Sequence, residues 1–254
     1  MDTRQHKKYK ILLLGDNCID TYIYGVVNRI SPEAPVPVFE PHTVIEKDGM
    51  AGNVCKNLEA LGCEVNFFHT ETSKKERLIE ERSKQQMLRI DRDSKCMPLL
   101  PNFIDEQELE SYDAIVISDY NKGTVPYHTV MWLRDIYQGP IFIDTKKTDL
   151  IQFEGCYVKI NQTEKQLAKT LPSSQWLITT YGDKGAVYEG AMFDSASVGD
   201  VTDVTGAGDT FLSALAYKFI DSRNIKTAIN FANKAASVTV RHVGVYAPKL
   251  EEIV

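Results

Sequence analysis

The sequence predicts an α/β fold built on a parallel sheet covered by helices. Short, uninterrupted apolar runs recur along the chain, as strands buried on both faces require. Patterns of helical period lie between those runs. No repeat, low-complexity tract or Gly/Ser-rich linker divides residues 1–254, so a single domain is expected.

Taken in order, Tyr9–Gly15 (YKILLLG) opens as a buried strand ending on Gly-Asp. Ala51–Leu61 places Val54, Leu58 and Leu61 on one helical face and stops at Gly62. Val65–Phe68, Ala114–Ile117, Ile141–Ile143, Tyr157–Ile160 and Trp176–Thr179 read as further buried strands. Pro126–Tyr137 and Glu164–Thr170 read as helices between them, and two long helical patterns follow at Thr210–Ile220 and Thr227–Val240. Two stretches break this rhythm. Thr21–Val44 is β-rich and holds four of the ten prolines, which keep strands at edges or bends, so it reads as an excursion off the main sheet. Lys74–Lys95 alternates in charge and reads by composition as a solvated helix, although Gln86–Asp91 also fits a strand reaching the excursion.

Composition excludes several classes. Hydrophobic residues make up 43% and charged residues 25%, as in ordinary globular proteins. A net charge of −6 argues against nucleic acid as the main partner. Five scattered cysteines without a CxxC indicate neither a disulfide framework nor a zinc site. The apolar run Ile11–Leu14 is too short for a signal peptide or a membrane span, so a cytoplasmic protein without a membrane partner is expected.

Most of the chemistry sits in Asp203–Phe211 (DVTGAGDTF), directly before an apolar-periodic helix. Gly206 and Gly208 allow a tight bend that brings successive N–H groups to an anion, and the helix adds its positive end. By itself the segment fits a phosphate site and a capped helix start equally well. Asp209 weighs on the choice, because a carboxylate facing an anion hole repels the anion unless a hydroxyl lies between them and must lose a proton. That arrangement serves phosphoryl transfer to an alcohol. No GxxxxGK[ST], HRD or DFG element is present.

DVTGAGDTF resembles the C-terminal signature of the ribokinase-like (PfkB) carbohydrate kinases, and Gly49–Asn53 (GMAGN) resembles their N-terminal one. RISPEAPVP (Arg29–Pro37), QQMLRID (Gln85–Asp91), SDYNKG (Ser118–Gly123) and FANKAASVTV (Phe231–Val240) resemble the branch that makes heptose 1,7-bisphosphate for ADP-heptose and lipopolysaccharide synthesis. The resemblance implies a three-layer α/β/α sandwich with a mostly parallel sheet and a small β lid around residues 21–44, joined by 84–91. It implies ATP as co-substrate with Mg²⁺, leaves room for a monovalent cation such as K⁺, and makes a sugar phosphate the acceptor. Asp209 matches the catalytic base, and the amides of Gly206, Ala207 and Gly208 match the anion hole. Asn161 and Glu164 match the NxxE element that orders Mg²⁺, although the same pair reads as a capping box. Thr180, Gly182 and Asn233 match nucleotide-lining positions, and Asp20, Gly49 and Asn53 match sugar-binding ones. Arg29, Lys84, Arg89 and Lys122 are the cations expected to hold a distal phosphate, where each also reads as ordinary surface charge.

The lid, apolar at Tyr22–Tyr24, Val36, Val38 and Phe39, is expected to pair with a second copy in a homodimer. Three departures from the family pattern stand out: Met50 replaces a second glycine, the stretch after Phe68 is short, and Lys234 replaces a small residue near the adenine position. A compact form carrying the kinase alone is expected. The competing expectations are a kinase of the same family for another sugar, and a non-catalytic sugar- or nucleotide-binding protein on the same fold.

Overall fold

The run Ile11–Leu14 carries no polar side chain, so both its faces need covering. The computed structural model, which describes residues 8–196 and 201–253, buries all four of these side chains completely. In chain order the elements are β1 (Lys10–Gly15), β2 (Asn17–Ile30), β3 (Pro37–Met50), α1 (Ala51–Ala60), β4 (Glu64–Phe68), β5 (Thr72–Glu80), β6 (Gln86–Arg92), α2 (Glu106–Leu109), β7 (Ala114–Asp119), α3 (Tyr127–Ile136), β8 (Ile141–Thr145), β9 (Tyr157–Asn161), α4 (Gln162–Leu167), β10 (Leu177–Thr180), β11 (Ala186–Tyr188), β12 (Ala191–Phe193), α5 (Ala207–Ser222), α6 (Ile225–Thr239) and α7 (Leu250–Ile253).

The main sheet runs β12-β11-β10-β9-β8-β7-β1-β4. Its pairings from β4 to β10 are parallel, and β11 and β12 add an antiparallel edge. Alternation along β1 divides the core into two layers. Ile11 and Leu13 pack with Val54 and Leu58 of α1 and with the apolar faces of α5 and α6. Leu12 and Leu14 pack on the opposite side with Leu109 of α2 and Val130 and Leu133 of α3. The expected three-layer α/β/α arrangement follows from this division.

A second sheet, ordered β3-β2-β5-β6, leaves the main one after Gly15 and returns into α1. The excursion expected at Thr21–Val44 lies within β2 and β3. The helical reading of Lys74–Lys95 is overturned, because this stretch forms the antiparallel pair β5 and β6. Its charges pair across strands, as in Arg92–Glu76 at 2.9 Å, and Leu78 stands between Ile23 and Leu88. Alternation therefore reflected the two faces of a sheet. The helix expected at Glu164–Thr170 forms earlier, at Gln162–Leu167. The amides of Lys169 and Thr170 both donate to Thr148 O, and that contact draws the chain out of helical geometry.

The junction between the sheets is tight. A Cβ on Gly15 would stand 2.3 Å from Ser118 O and 2.6 Å from Ala51 Cβ. Beside it the fully buried Asp16 accepts the Lys122 and Thr124 amides through its carboxylate and the Ala51 amide through its carbonyl. One residue thus ties β1, α1 and the loop after β7 together.

Candidate active site

Parallel strands end together, and ligand sites in open α/β sheets form outside those carboxyl ends. Here the ends of β8, β9 and β10 supply Asp144, Asn161 and Thr180, and Tyr120 follows β7. These residues and the start of α5 enclose a cavity of about 790 Å³. Its lining includes the charged Asp209, Asp144, Lys146 and Lys159 and the apolar Val201, Val204, Ala236 and Val240.

Gly206 caps α5 in the left-handed conformation (φ 80°), where an L side chain is disfavoured, and this turn aims the first helical amides at the cavity. Among the described residues the amides of Gly206, Gly208 and Asp209 meet no protein acceptor. The expectation for Ala207 needs correction: its amide donates to Val204 O at 3.3 Å, closing the turn, so it is not available to an anion. Lys159 compensates with a full charge. Its ammonium would lie 3.0 Å from a Cβ placed on Gly208, and it pairs with Asp144 Oδ2 at 2.6 Å.

Asp209 is buried on the first turn of α5. Its Oδ2 accepts the Asn53 side-chain amide at 2.7 Å, and its Oδ1 accepts the Tyr120 hydroxyl at 3.2 Å. Burial is the largest influence and raises its pKa to about 6, with the Asp144 charge adding to the rise. The Asn53 amide, the Lys159 charge and the Tyr120 hydroxyl oppose that rise. The Asp209 charge in turn pushes the Tyr120 phenol well above its ordinary value. The carboxyl is thus ionised at neutral pH and a stronger base than an exposed aspartate.

Asn161 and Glu164 form a reciprocal capping box: Asn161 Oδ1 accepts the Glu164 amide at 2.9 Å, and Glu164 accepts the Asn161 amide at 2.7 Å. Glu164 also binds Lys146. The box fixes both side chains where α4 begins, with Asn161 on the cavity wall. Thr180, Gly182 and Asn233 line the cavity, and Asn233 uses its amide to hold the Phe193 and Asp194 carbonyls. Lys234 is exposed and does not line the cavity.

Of the expected sugar positions, Asn53 reaches Asp209 directly, while Asp20 lies on β2 bound to Arg77 at 2.6 Å. Gly49 makes that possible, since a Cβ there would meet Asp20 Oδ2 at 2.4 Å. Met50 takes the backbone conformation that a glycine would favour (φ 52°, ψ −131°) and buries its side chain, so the substitution keeps the bend at a cost in strain. The four distal-phosphate candidates do not converge. Arg29 and Lys84 are exposed, near the end of β2 and in the β5–β6 turn, away from Asp20. Arg89 is paired with Asp91, and Lys122 with Asp93 at 2.5 Å.

Sequence reasoning missed Tyr120, Asp144, Lys146 and Lys159 as site residues. Lys159 had a signal, since it lies two residues before Asn161 on the same strand face. Asp144 and Tyr120 had only their place after strand-like runs.

A helix start with open amides and a buried carboxylate thus meet at one cavity lined by both charged and apolar side chains. Residues 148–253 match the family model described as pfkB family carbohydrate kinase. The chain is 33% identical over 301 residues to the bifunctional protein HldE of a Nitratiruptor species, covering 97% of this chain and 64% of that protein. HldE of Pasteurella multocida is 30% identical over 295 residues, covering 94% of this chain and 62% of that protein. The chain thus spans just under two thirds of the length of these relatives. Among solved structures, Thermotoga maritima ribokinase superposes with a TM-score of 0.70 at 18% identity, covering 96% and 98% of the two chains. Arabidopsis thaliana ribokinase complexed with ribose and ATP gives 0.69 at 14% identity, covering 97% of each chain. At those identities the likeness shows the fold. Among the described residues no helix is long and apolar enough to cross a membrane.

Proposed function

We propose that this chain is an ATP-dependent sugar kinase that phosphorylates the anomeric hydroxyl of a heptose 7-phosphate, giving heptose 1,7-bisphosphate on the route to ADP-heptose and lipopolysaccharide. The observation that carries the reaction is the buried, doubly hydrogen-bonded Asp209 beside the open amides of α5. The acceptor rests on the heptose-branch segments of the sequence and on the likeness to HldE over almost the whole chain.

In this reading the nucleotide base lies against the apolar Val201, Ala236 and Val240 of the cavity wall, with the phosphates toward Lys159 and the Gly206 and Gly208 amides. Asp209 takes the proton of the acceptor hydroxyl as that oxygen bonds to the γ-phosphorus, and the bond to the bridging oxygen breaks to release ADP. The residues fit a magnesium ion. Asp144 Oδ1 is buried without a hydrogen-bond partner, and Glu164 is tied to Lys146, which lines the same cavity. Among the described residues no three metal-ligating side chains cluster, which suits an ion that keeps most of its waters and takes few carboxylates. When bound, the ion neutralises phosphate charge; Glu164 and Asp144 would hold it and its waters.

The acceptor is tested by ADP release across heptose 7-phosphate, unphosphorylated heptose, ribose and fructose. Heptose 7-phosphate is expected to turn over fastest. Faster turnover of an unphosphorylated sugar discards the heptose phosphate and keeps the kinase; no ADP with any sugar turns the reading to a binding protein.

In the same proposal the four-stranded sheet is a lid that covers the acceptor and docks on a second copy. Val44, Ile23, Leu78 and Leu88 form an apolar row across all four strands, with Val44 60% and Leu88 53% exposed. Such a row on a thin sheet calls for cover. Leu88→Asp is expected to convert a dimer into a monomer in sedimentation at micromolar concentration. A fully active monomer in the parent protein overturns the dimer.

A further inference from the structure

The lid has two unlike faces, and along its strands the face toward Tyr120 carries more basic than acidic side chains. Side chains alternate along a strand, so register assigns them. Asp20 on β2 stands opposite Lys47 of β3 on one side and Lys75 of β5 on the other, and Lys75 stands opposite Asp91 of β6. The next row on this face places Arg77 beside Tyr22 and opposite Arg89. From Cys18 to Tyr24 the face thus presents Lys47, Lys75, Arg77 and Arg89 against two carboxylates, Asp20 and Asp91.

The carboxylates are already taken by the arginines. Arg77 bonds Asp20 at 2.6 Å, and Arg89 grips Asp91 through two bonds. Lys47 and Lys75 are half-buried and form no ion pair among the described residues. Directly opposed arginines and two half-buried lysines without an ion pair repel one another, and an anion bound there would relieve that repulsion.

The position of Lys75 says which part of a ligand carries that anion. Its ammonium lies 5.9 Å from the centre of the Tyr120 ring, whose hydroxyl reaches Asp209. Lys47 lies 5.9 Å from the Tyr22 ring and beside Gly244. Lys75 therefore stands on the acceptor side of the site, with Tyr120 between it and Asp209, and Lys47 lies in the same row across Asp20. The nucleotide phosphates already have Lys159 and the α5 amides on the other side.

We infer that Lys47 and Lys75, backed by Arg77 and Arg89, hold a phosphomonoester on the acceptor at the end remote from the hydroxyl that Asp209 deprotonates. Asp203, which holds the Gly244 amide near Lys47, offsets part of this charge; the positive excess that the strands still carry suits the dianion of a sugar phosphate, and lysines bind it as point charges. This rests on the kinase reading of the cavity, and it replaces Arg29, Lys84 and Lys122 as the groups that select a phosphorylated sugar.

Calorimetry without ATP separates the inference from that reading. Heptose 7-phosphate and fructose 6-phosphate are compared with heptose and fructose. The parent protein is expected to bind at least one phosphorylated sugar about tenfold or more tightly than its unphosphorylated partner, the strength of a charge-assisted contact. Lys75→Gln and Lys47→Gln are each expected to reduce that ratio by about fivefold or more and leave ATP affinity unchanged. Lys74→Gln removes the same charge from the opposite face of β5 and is expected to leave the ratio within about twofold. An unaltered ratio in both test variants overturns the inference, as does an equal loss in Lys74→Gln. A phosphate preference without ADP formation sinks the kinase and keeps the anion site. ADP formation with no phosphate preference does the reverse.

Discussion

Asp209→Asn is expected to lower turnover by about 10²–10⁴-fold while ATP still binds, because the amide keeps the shape of the side chain and cannot accept a proton. The parent enzyme should show the matching pH dependence. With its pKa raised to about 6, Asp209 must lose its proton before it can act, so kcat/KM rises with pH through about 6 and levels above it. The same shift has a consequence for stability with a definite sign. A buried carboxyl of raised pKa binds its proton more tightly in the folded chain than in the unfolded one. Ionised Asp209 therefore costs native stability above about pH 6, and the cost vanishes below the unfolded value. Asp209→Asn is expected to melt a few degrees higher than the parent at pH 7.5, with the gain gone by about pH 4. Near-parental turnover in the variant would remove Asp209 from the mechanism. An unchanged melting temperature at pH 7.5 would remove the burial argument and leave the catalytic one intact.

Gly15→Ala is expected to lower the melting temperature by about 5–15 °C, the equivalent of about 2–4 kcal/mol in a chain of this size. The added methyl would sit 2.3 Å from a backbone carbonyl and 2.6 Å from Ala51 Cβ, and neither can swing aside as a flexible side chain would. Relief requires β1 to part from β7 or α1 to lift, and each movement loosens the hydrogen bonds that Asp16 makes next door. Gly62→Ala supplies the comparison. Its φ of 88° carries left-handed strain, but no atom lies within 4 Å of the added carbon, so about 1–2 kcal/mol is expected. Equal losses at both positions, read by thermal melting, would show that backbone freedom rather than close approach sets the cost at Gly15.

The buried strands were legible because each is a local pattern whose burial leaves no choice: Ile11–Leu14 and Ala114–Ile117 have no polar face, so they must be central. The turn at Gly206 and the carboxylate on the helix start were legible for a similar reason, since turn chemistry is written in adjacent residues. Lys74–Lys95 was not, because alternating charge satisfies a helix and a strand alike until the stretch pairs with β2. Asn161–Glu164 carried two compatible readings, and the structure displays the capping box on which a metal role would have to be built.

The sequence by itself determined a parallel α/β fold, the excursion at Thr21–Val44 and a candidate base at Asp209. Tertiary structure alone decided how strong that base is, since Asn53 and Tyr120 come from 156 and 89 residues away. It also decided which cations stand around Asp20. Arg29 and Lys84 sit on segments that look right in sequence but lie far along the lid, whereas the register of β2 with β3 and β5 sets Lys47 and Lys75 on either side of Asp20. The physical reason is the range of the forces involved. Backbone preference and hydrophobic alternation act between near neighbours in sequence, while desolvation and Coulomb interaction act between neighbours in space, and only the folded chain says which those are.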